Sequence, residues 1–299
     1  MDLRHLRYFL AVADQLSFSR AAQRLNIAQP PLSQQIQRLE RELGVILFTR
    51  THRRVELTSA GRAILDCARR AVAQADQVTQ LARQVAHGEA GVLRLGFSSA
   101  ALYTHLPAIL PAILRAFRGR YPQVILNLFE RSSEQQVAML ADGALDAAVV
   151  RLPIENAPRP LAVKSLLREP LVLAIPRRHQ LANRARVPIR ALNSEPLIIF
   201  PRHVAPGLYD QIAGLCRDAG FAPNVAQEAA EIATMVSLVS VGLGAAIVPN
   251  SVRNLQRAMV RYRELVPTAM TELAFAYEAD NSSAVLRSFV DTVEHCAQN

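Results

Sequence analysis

From Thr58 the chain runs to about His87 without a helix breaker, and this stretch divides the rest. A helix of about 28 residues spans about 42 Å. Its apolar positions Ile64, Ala68, Ala71, Ala75, Val78, Ala82 and Val85 recur in alternating steps of four and three, an unbroken heptad pattern. Alanine dominates the seam, so another helix can approach closely. That helix can belong to a second copy of the chain, or the seam can pack on its own chain. A core-buried helix rarely keeps so strict and narrow a seam, which favours the second copy. His87-Gly88-Glu89-Ala90-Gly91 breaks the pattern and marks a hinge.

Before the long helix the chain reads as short helices. Apolar residues at Leu3, Leu6, Phe9, Leu10 and Ala13 have helical spacing with one buried face. Ser17 offers an N-cap to a short helix from Phe18 to Leu25, whose Ala21-Ala22 lets the next helix cross closely. Asn26-Ile27-Ala28 is the turn, where asparagine tolerates a left-handed backbone. Gln29-Pro30-Pro31 opens the following helix, since proline suits a first turn. Leu32, Ile36, Leu39 and Leu43 form one buried stripe, Ser33, Gln34, Gln37 and Arg41 face the other way, and Gly44 closes the helix. Serine and glutamine at a helix N-terminus are the types that meet base edges and phosphates in a major groove. The same face also suits a solvated helix in an ordinary bundle. Leu47–Arg50 and Val55–Leu57 then read as two strands around Thr51-His52-Arg53-Arg54. Arg50, Arg53 and Arg54 are placed for phosphates or a minor groove. A hairpin directly after a helix-turn-helix reads as a wing.

The charge distribution agrees with this. The formal charge is +9; residues 1–90 carry 13 Arg against 8 Asp+Glu, and residues 91–299 carry 21 Lys+Arg against 17. The excess is concentrated in the first third, as a polyanion partner would require. Lys164 is the only lysine. Arginine suits bidentate phosphate and guanine contacts, although a genome-wide base bias gives the same usage.

From Val92 the texture changes to alternating strands and helices, the sign of an α/β domain. Val92–Phe97 is a strand with Ser98-Ser99 at its end, and a helical segment ends near Arg120-Tyr121-Pro122. Val124–Phe129 is the next strand. Arg131-Ser132-Ser133 leads into a helix with Ser133 and Gln136 spaced as a capping box. Asp146–Arg151 is a third strand. Residues 161–265 repeat the theme, with strands at Leu171–Ile175, Pro196–Phe200 and Ala245–Val248. The tail adds a strand, Leu273–Tyr277, and a helix, Ala284–Ala297. Two α/β lobes would place a cleft between them.

Other classes fit poorly. Cys67, Cys216 and Cys296 are odd in number and widely spaced, so reduced thiols in a cytosolic protein are expected. Charges interrupt the N-terminal apolar run, and no run of about 18 apolar residues occurs, so neither an export signal nor a membrane span is read. An exported solute-binding protein would need such a signal and no basic N-terminal module. Ser98-Ser99 with His105 suggests a nucleophile and base, but no GxSxG elbow surrounds them. No Walker pattern occurs, and Gly242-Leu243-Gly244 lacks the third glycine of a dinucleotide site. The histidines are scattered. Neither metal nor cofactor is expected.

The wording RHLRYF and AQPPLS, within Leu3 to Gly61, resembles the LysR-type transcriptional regulators, most closely the branch that controls breakdown of aromatic compounds and answers to muconate, benzoate or chlorinated relatives. LRLGF at 93–97, DGALDAAVVR at 142–151 and VSVGLGAAIVP at 239–249 extend the resemblance over essentially the whole chain. It implies a winged helix-turn-helix at 1–58, a dimerising linker helix at 59–87 and a hinge at 88–91. It further implies an α/β effector domain like a periplasmic binding protein, with one lobe from 92–161 plus 266–299 and a second from 162–265. It implies a dimer of dimers that bends double-stranded promoter DNA and acts on RNA polymerase indirectly. Gln29, Pro30, Pro31, Ser33 and Gln34 would face the groove, beside Gln37, and Arg53 and Arg54 would sit on the wing. Related members often carry arginine where this chain has Gln34; an amide prefers adenine geometry. Ser98, Ser99, Ser132 and Ser133 would line the cleft and favour a small anionic effector, an aromatic acid or dicarboxylate, through hydroxyls and helix N-termini. Pro201, His203 and Ile232 would be wall residues. Arg151 and Arg202 would be either ligand clamps or salt-bridge partners. A tandem PAIL, Pro107–Leu110 and Pro111–Leu114, adds about one helical turn where relatives usually have one unit.

Overall fold

In the computed structural model, which describes residues 1–50, 54–102, 109–154, 157–255 and 257–297, the chain separates into two units, Met1–Gln84 and Val85–Asn299.

The first unit begins with a capping box. The Asp2 carboxylate accepts from the His5 N–H at 2.9 Å and starts α1 (Leu3–Gln15). Leu16, at φ 45°, ends it in the left-handed region. Ser17 caps α2 (Phe18–Arg24), and Asn26 turns at φ 56° into α3 (Gln29–Leu43). Leu32, Ile36 and Leu39 are fully buried against α1 and α2. Burial of each is worth about 1.5–3 kcal/mol. Leu43, expected to complete the stripe, is instead 38% exposed, because Gly44 ends the helix there. Strands β1 (Phe48–Arg50) and β2 (Val55–Leu57) pair antiparallel. Phe48 anchors this hairpin between Phe9 and Phe18, with ring centroids 5.4 and 5.9 Å away. Thr58 caps the long helix α4 (Ser59–Ala86), its Oγ1 accepting from the Gly61 N–H at 3.0 Å. Helix and hairpin lie so close that a Cβ on Gly61 would stand 2.4 Å from the Leu47 carbonyl oxygen.

The heptad seam of α4 divides. Ala68 is 4% exposed, and Ile64 and Ala71 pack with it on the core of their own unit. This corrects the expectation of one continuous seam for a partner helix: the first half is used within the chain. Ala75 is half-buried, Ala82 is exposed, and Val78 and Val85 are 64% and 49% exposed.

The second unit is built on an eight-stranded sheet. Strands β3 (Ala90–Phe97), β4 (Gln123–Glu130) and β5 (Ala147–Leu152) are parallel, with β3 in the middle. Helix α5 (Ile109–Arg120) joins β3 to β4, and α6 (Ser133–Ala141) joins β4 to β5. In α5 the second PAIL unit lies in the helix, with Leu110 and Ile113 in the core; Pro107, Ala108 and His105 lie outside the described residues. The chain then runs along β6 (Leu161–Pro176), a 16-residue strand of which only the end was legible. Its remaining partners come later in sequence. β7 (Arg186–Pro188), β10 (Ala246–Pro249) and β11 (Val260–Val266) extend the sheet; β8 (Leu197–Ile199) and β9 (Val225–Glu228) form a separate pair. Helices α7 (Pro206–Asp218) and α8 (Ile232–Ser240) pack with them. β12 (Met270–Glu278) returns between β5 and β6, and α9 (Ala284–Ala297) closes the chain.

Strand β6 belongs to two cores. Up to Pro170 it pairs with β12; from Leu171 it pairs with β10 and β11. The exchange of partners therefore falls at 170–171, not at the expected lobe boundary of 162. On one side Leu93, Leu95, Phe117, Phe275 and Phe289 form the first lobe's core; on the other Leu173, Ile175, Ile198, Met235 and Ile247 form the second. Within the first part the pairing steps from Leu273↔Leu167 to Ala274↔Ser165, leaving Leu166 as an extra residue. This is a β-bulge. It turns both Leu166 and Leu167 toward the same core.

Candidate functional site

The first unit presents one exposed polar face. Gln29, Pro30, Pro31, Gln34 and Gln37 are exposed along α3, and Ser33 is half-buried beside them. Ser33 is held: its Oγ accepts from Arg50 Nη1 at 2.8 Å. The Arg50 guanidinium also lies 4.3 Å over the Phe18 ring and 3.7 Å from Glu40. Arg50, expected to reach outward, is thus engaged between hairpin and α3. Arg54 is exposed, 3.9 Å from Glu56, and Arg53 lies outside the described residues. Glu40 carries a role the sequence pattern hid. Its Oε1 accepts the N–H groups of Leu47 (2.8 Å) and Phe48 (3.1 Å), so the polar side of α3 holds the start of the hairpin. On the other side of α3, His5 Nε2 pairs with Gln35 Oε1 at 2.9 Å and fixes it against α1. An exposed, rigidly held glutamine-rich helix with a hairpin beside it can enter a DNA major groove.

The second unit contains a cavity of about 490 Å³ between its lobes, within the range of small-molecule sites. The first lobe contributes the ends of β3, β4 and β5. Ser98 and Ser99 follow β3, Glu130 to Gln135 follow β4, and Arg151 and Pro153 end β5. The second lobe contributes His203 to Leu208 at the start of α7 and Ala230 to Ile232 at the start of α8. Ser132 caps α6, its Oγ accepting from the Gln135 N–H, with the Gln135 side chain reaching back. The capping box thus sits one residue earlier than the expected Ser133 and Gln136. Gln136 is instead fully buried, donating to the Arg131 carbonyl at 2.9 Å, and Ser133 Oγ accepts the Arg151 N–H at 3.0 Å.

Arg151 lies at the junction of the lobes. Its side chain is 9% exposed; Nη1 donates to Thr271 Oγ1 at 3.2 Å, and Nη2 stands 3.6 Å from the Glu169 carboxylate. Glu169, also buried, accepts from the N–H (2.6 Å) and hydroxyl (3.0 Å) of Ser251. Burial pushes the Arg151 guanidinium below its ordinary value, and Glu169 opposes that shift. The network ties β5, β6 and β12 to the segment after β10, and so spans the exchange of partners in β6.

The cavity gathers Ser98, Ser99, Ser132, Ser133, Arg151, His203 and Ile232 from the expected effector set. It does not gather two others. Arg202 does not line it and pairs with Asp210 of α7 through Nε (2.9 Å) and Nη2 (2.7 Å), holding that carboxyl below its ordinary range. Pro201 is buried and does not line the cavity. Glu130, Arg131, Glu134 and Glu231 line it without having been singled out. An acidic residue just before Ile232 was the available signal for Glu231, whose Oε2 accepts from the Ser99 hydroxyl at 2.6 Å.

Among the described residues no helix is long and apolar enough to cross a membrane. Comparison with known proteins covers both units. Residues 3–62 match the bacterial regulatory helix-turn-helix protein, lysR family, and residues 86–297 match the LysR substrate binding domain. The chain is 40% identical to the HTH-type transcriptional regulator AlsR of Bacillus subtilis (strain 168), over 100% of this chain and 97% of that protein. It is 33% identical to the HTH-type transcriptional regulator ClcR of Pseudomonas putida, over 97% of each chain. Full-length CbnR, solved in complex with its target DNA, resembles it with a TM-score of 0.81 and 29% identity, covering 99% of this chain and 100% of that one. The chain belongs to the LysR family of DNA-binding transcriptional regulators.

Proposed function

We propose that this regulator is switched by a small acid bound in the cavity between the lobes of its second unit. The observation that carries this reading is the convergence of three strand ends and three helix starts, with four serine hydroxyls, on one cavity of about 490 Å³. Ligands of open α/β sheets collect at strand carboxyl ends. The proposed division is a DNA-binding module at 1–58, a linker helix at 59–87, a hinge at 88–91 and an effector domain in two lobes. On this reading Gln29, Pro30, Pro31, Ser33, Gln34 and Gln37 face the operator's major groove, Arg53 and Arg54 take the flanking backbone, and Arg50 steadies the arrangement. Two copies pair through the exposed end of α4, around Val78, Ala82 and Val85. Two such dimers bend the promoter in the cytoplasm. Ligand binding favours one lobe arrangement over the other, alters the spacing of the DNA-binding modules and so opens the promoter to RNA polymerase.

The test is a mobility-shift titration with DNA from upstream of the protein's own gene. The expected result is a retarded complex that survives competitor DNA at moderate salt and weakens steadily as salt rises. Binding no tighter than to unrelated DNA would sink the operator assignment. A thermal-shift screen of small acids tests the cleft: a ligand at about 100 times its dissociation constant should add about 2.7 kcal/mol of stability.

A further inference from the structure

Glu231 uses its position in an uncommon way. It precedes α8, where an acidic side chain ordinarily accepts from the first free N–H groups of the helix. Here it makes no such bond. Its Oε2 accepts the Ser99 hydroxyl hydrogen at 2.6 Å and joins the two lobes through the cavity. Ser99 has one hydrogen to give, and Glu231 takes it. On the first lobe, Ser132 and Ser133 use their oxygens to accept backbone N–H groups, which leaves their own hydrogens to donate. The cavity therefore presents serine donors on the first lobe, beside the Glu130 and Glu134 carboxylates, and the Glu231 carboxylate as acceptor on the second. Its ionisable lining is also short of positive charge. Glu130, Glu134 and Glu231 stand with Arg131, Arg151 and His203, and Glu169 already faces Arg151. A ligand with a carboxylate at each end would set one of them against Glu231.

We propose that Glu231 determines specificity in the cleft: it selects compact acids that carry a hydroxyl or ammonium group and rejects dicarboxylates. The inference rests on the cleft being the effector site. The ligand's carboxylate takes the serine hydroxyls of the first lobe. Its own donor replaces Ser99 on Glu231, and the Ser99 hydrogen turns to the ligand. The bridge between the lobes then runs through the ligand instead of directly from side chain to side chain.

The test uses the full-length protein, wild type and with Glu231→Gln or Glu231→Ala, titrated calorimetrically with two matched pairs. These are 4-hydroxybutyrate against succinate and 4-(hydroxymethyl)benzoate against terephthalate. The expected result is at least tenfold tighter binding of the hydroxyl compound by the wild type in one pair or both. Glu231→Gln should narrow this to threefold or less by improving the dicarboxylate. Tighter or equal binding of the dicarboxylates by the wild type, or a preference that Glu231→Gln leaves unchanged, overturns the role of Glu231 while the cleft site stands. Binding of none of the four compounds removes the proposal and the cleft reading together. A ligand-free arm measures amide hydrogen exchange: segments 98–102 and 230–235 should exchange faster in Glu231→Ala than in the wild type. Equal exchange overturns the bridge.

Discussion

Arg50 donates a 2.8 Å hydrogen bond to the hydroxyl of Ser33, tying the hairpin to α3, the helix proposed to meet DNA. The same guanidinium covers Phe18 and approaches Glu40. A planar fork can serve all three neighbours; a lysine ammonium cannot. Arg50→Lys should therefore weaken operator binding nearly as much as Arg50→Ala, by about 1.5 kcal/mol or more on the scale of a charged hydrogen bond. Fluorescence anisotropy at two salt concentrations is the measurement. If lysine restores wild-type affinity and salt dependence, Arg50 acts as a phosphate charge and not as a strut.

Glu40 should matter for stability before it matters for DNA. It accepts two N–H groups at the entry to β1. Glu40→Ala strands both and should cost about 1–3 kcal/mol, seen as a lower melting transition of the N-terminal unit by calorimetry. Glu40→Gln keeps an acceptor oxygen and should lose less than half as much. Equal melting of all three proteins would show that these bonds contribute nothing net.

Arg151 and Arg202 should separate cleanly. Arg151→Ala leaves Glu169 buried without its cation, a loss of about 3–5 kcal/mol. Pairing Arg151→Met with Glu169→Leu should recover most of that stability while abolishing ligand response. Arg202→Ala breaks an exposed pair with Asp210 and, because Arg202 does not line the cavity, should leave ligand affinity unchanged. A loss of affinity in Arg202→Ala would restore it to the site.

Self-association should respond to one half of α4 only. Val78→Glu with Val85→Glu adds charge to the exposed seam, and glutamate is a better helix former than valine. Sedimentation velocity should show smaller assemblies at unchanged helix content. Ala68→Glu, by contrast, should unfold the N-terminal unit, because Ala68 is buried in its own core. Unchanged sedimentation of the double variant would place the subunit contact elsewhere.

Short-range signals were readable and long-range partnerships were not. The helices of the first unit follow from apolar spacing, and their ends from Ser17, Asn26, Gly44 and Thr58, because caps and turns are decided within a few residues. The heptad seam was read correctly as helical, yet period alone does not say which surface covers it, and Ala68 proved to face its own chain. Strands β7, β9 and β11 were missed. They are short or mixed in polarity, and partners distant in sequence, such as β6 for β11, hold them in place. In the cleft, serines at strand ends were legible as a type. For Arg202 the sequence left clamp or salt-bridge partner open, because its partner Asp210 lies eight residues on, inside α7. Glu231 was overlooked because its hydrogen bond to Ser99 spans 132 residues of sequence.

The extra residue Leu166 in β6 has a wider reach than its own contacts. Side chains along a strand alternate with a period of two, so one surplus residue changes odd to even for everything that follows. Upstream of Leu166 the strand pairs with β12 from Leu161 to Ser165; downstream, Leu171 to Ile175 are all buried in the second lobe's core. The bulge sets the parity between two cores that share a single ribbon. Deleting Leu166 would set Ser165 and Leu167 side by side opposite Ala274 and Leu273 and leave every side chain on its own face, whereas deleting a paired residue beside it would carry its neighbours to the wrong side.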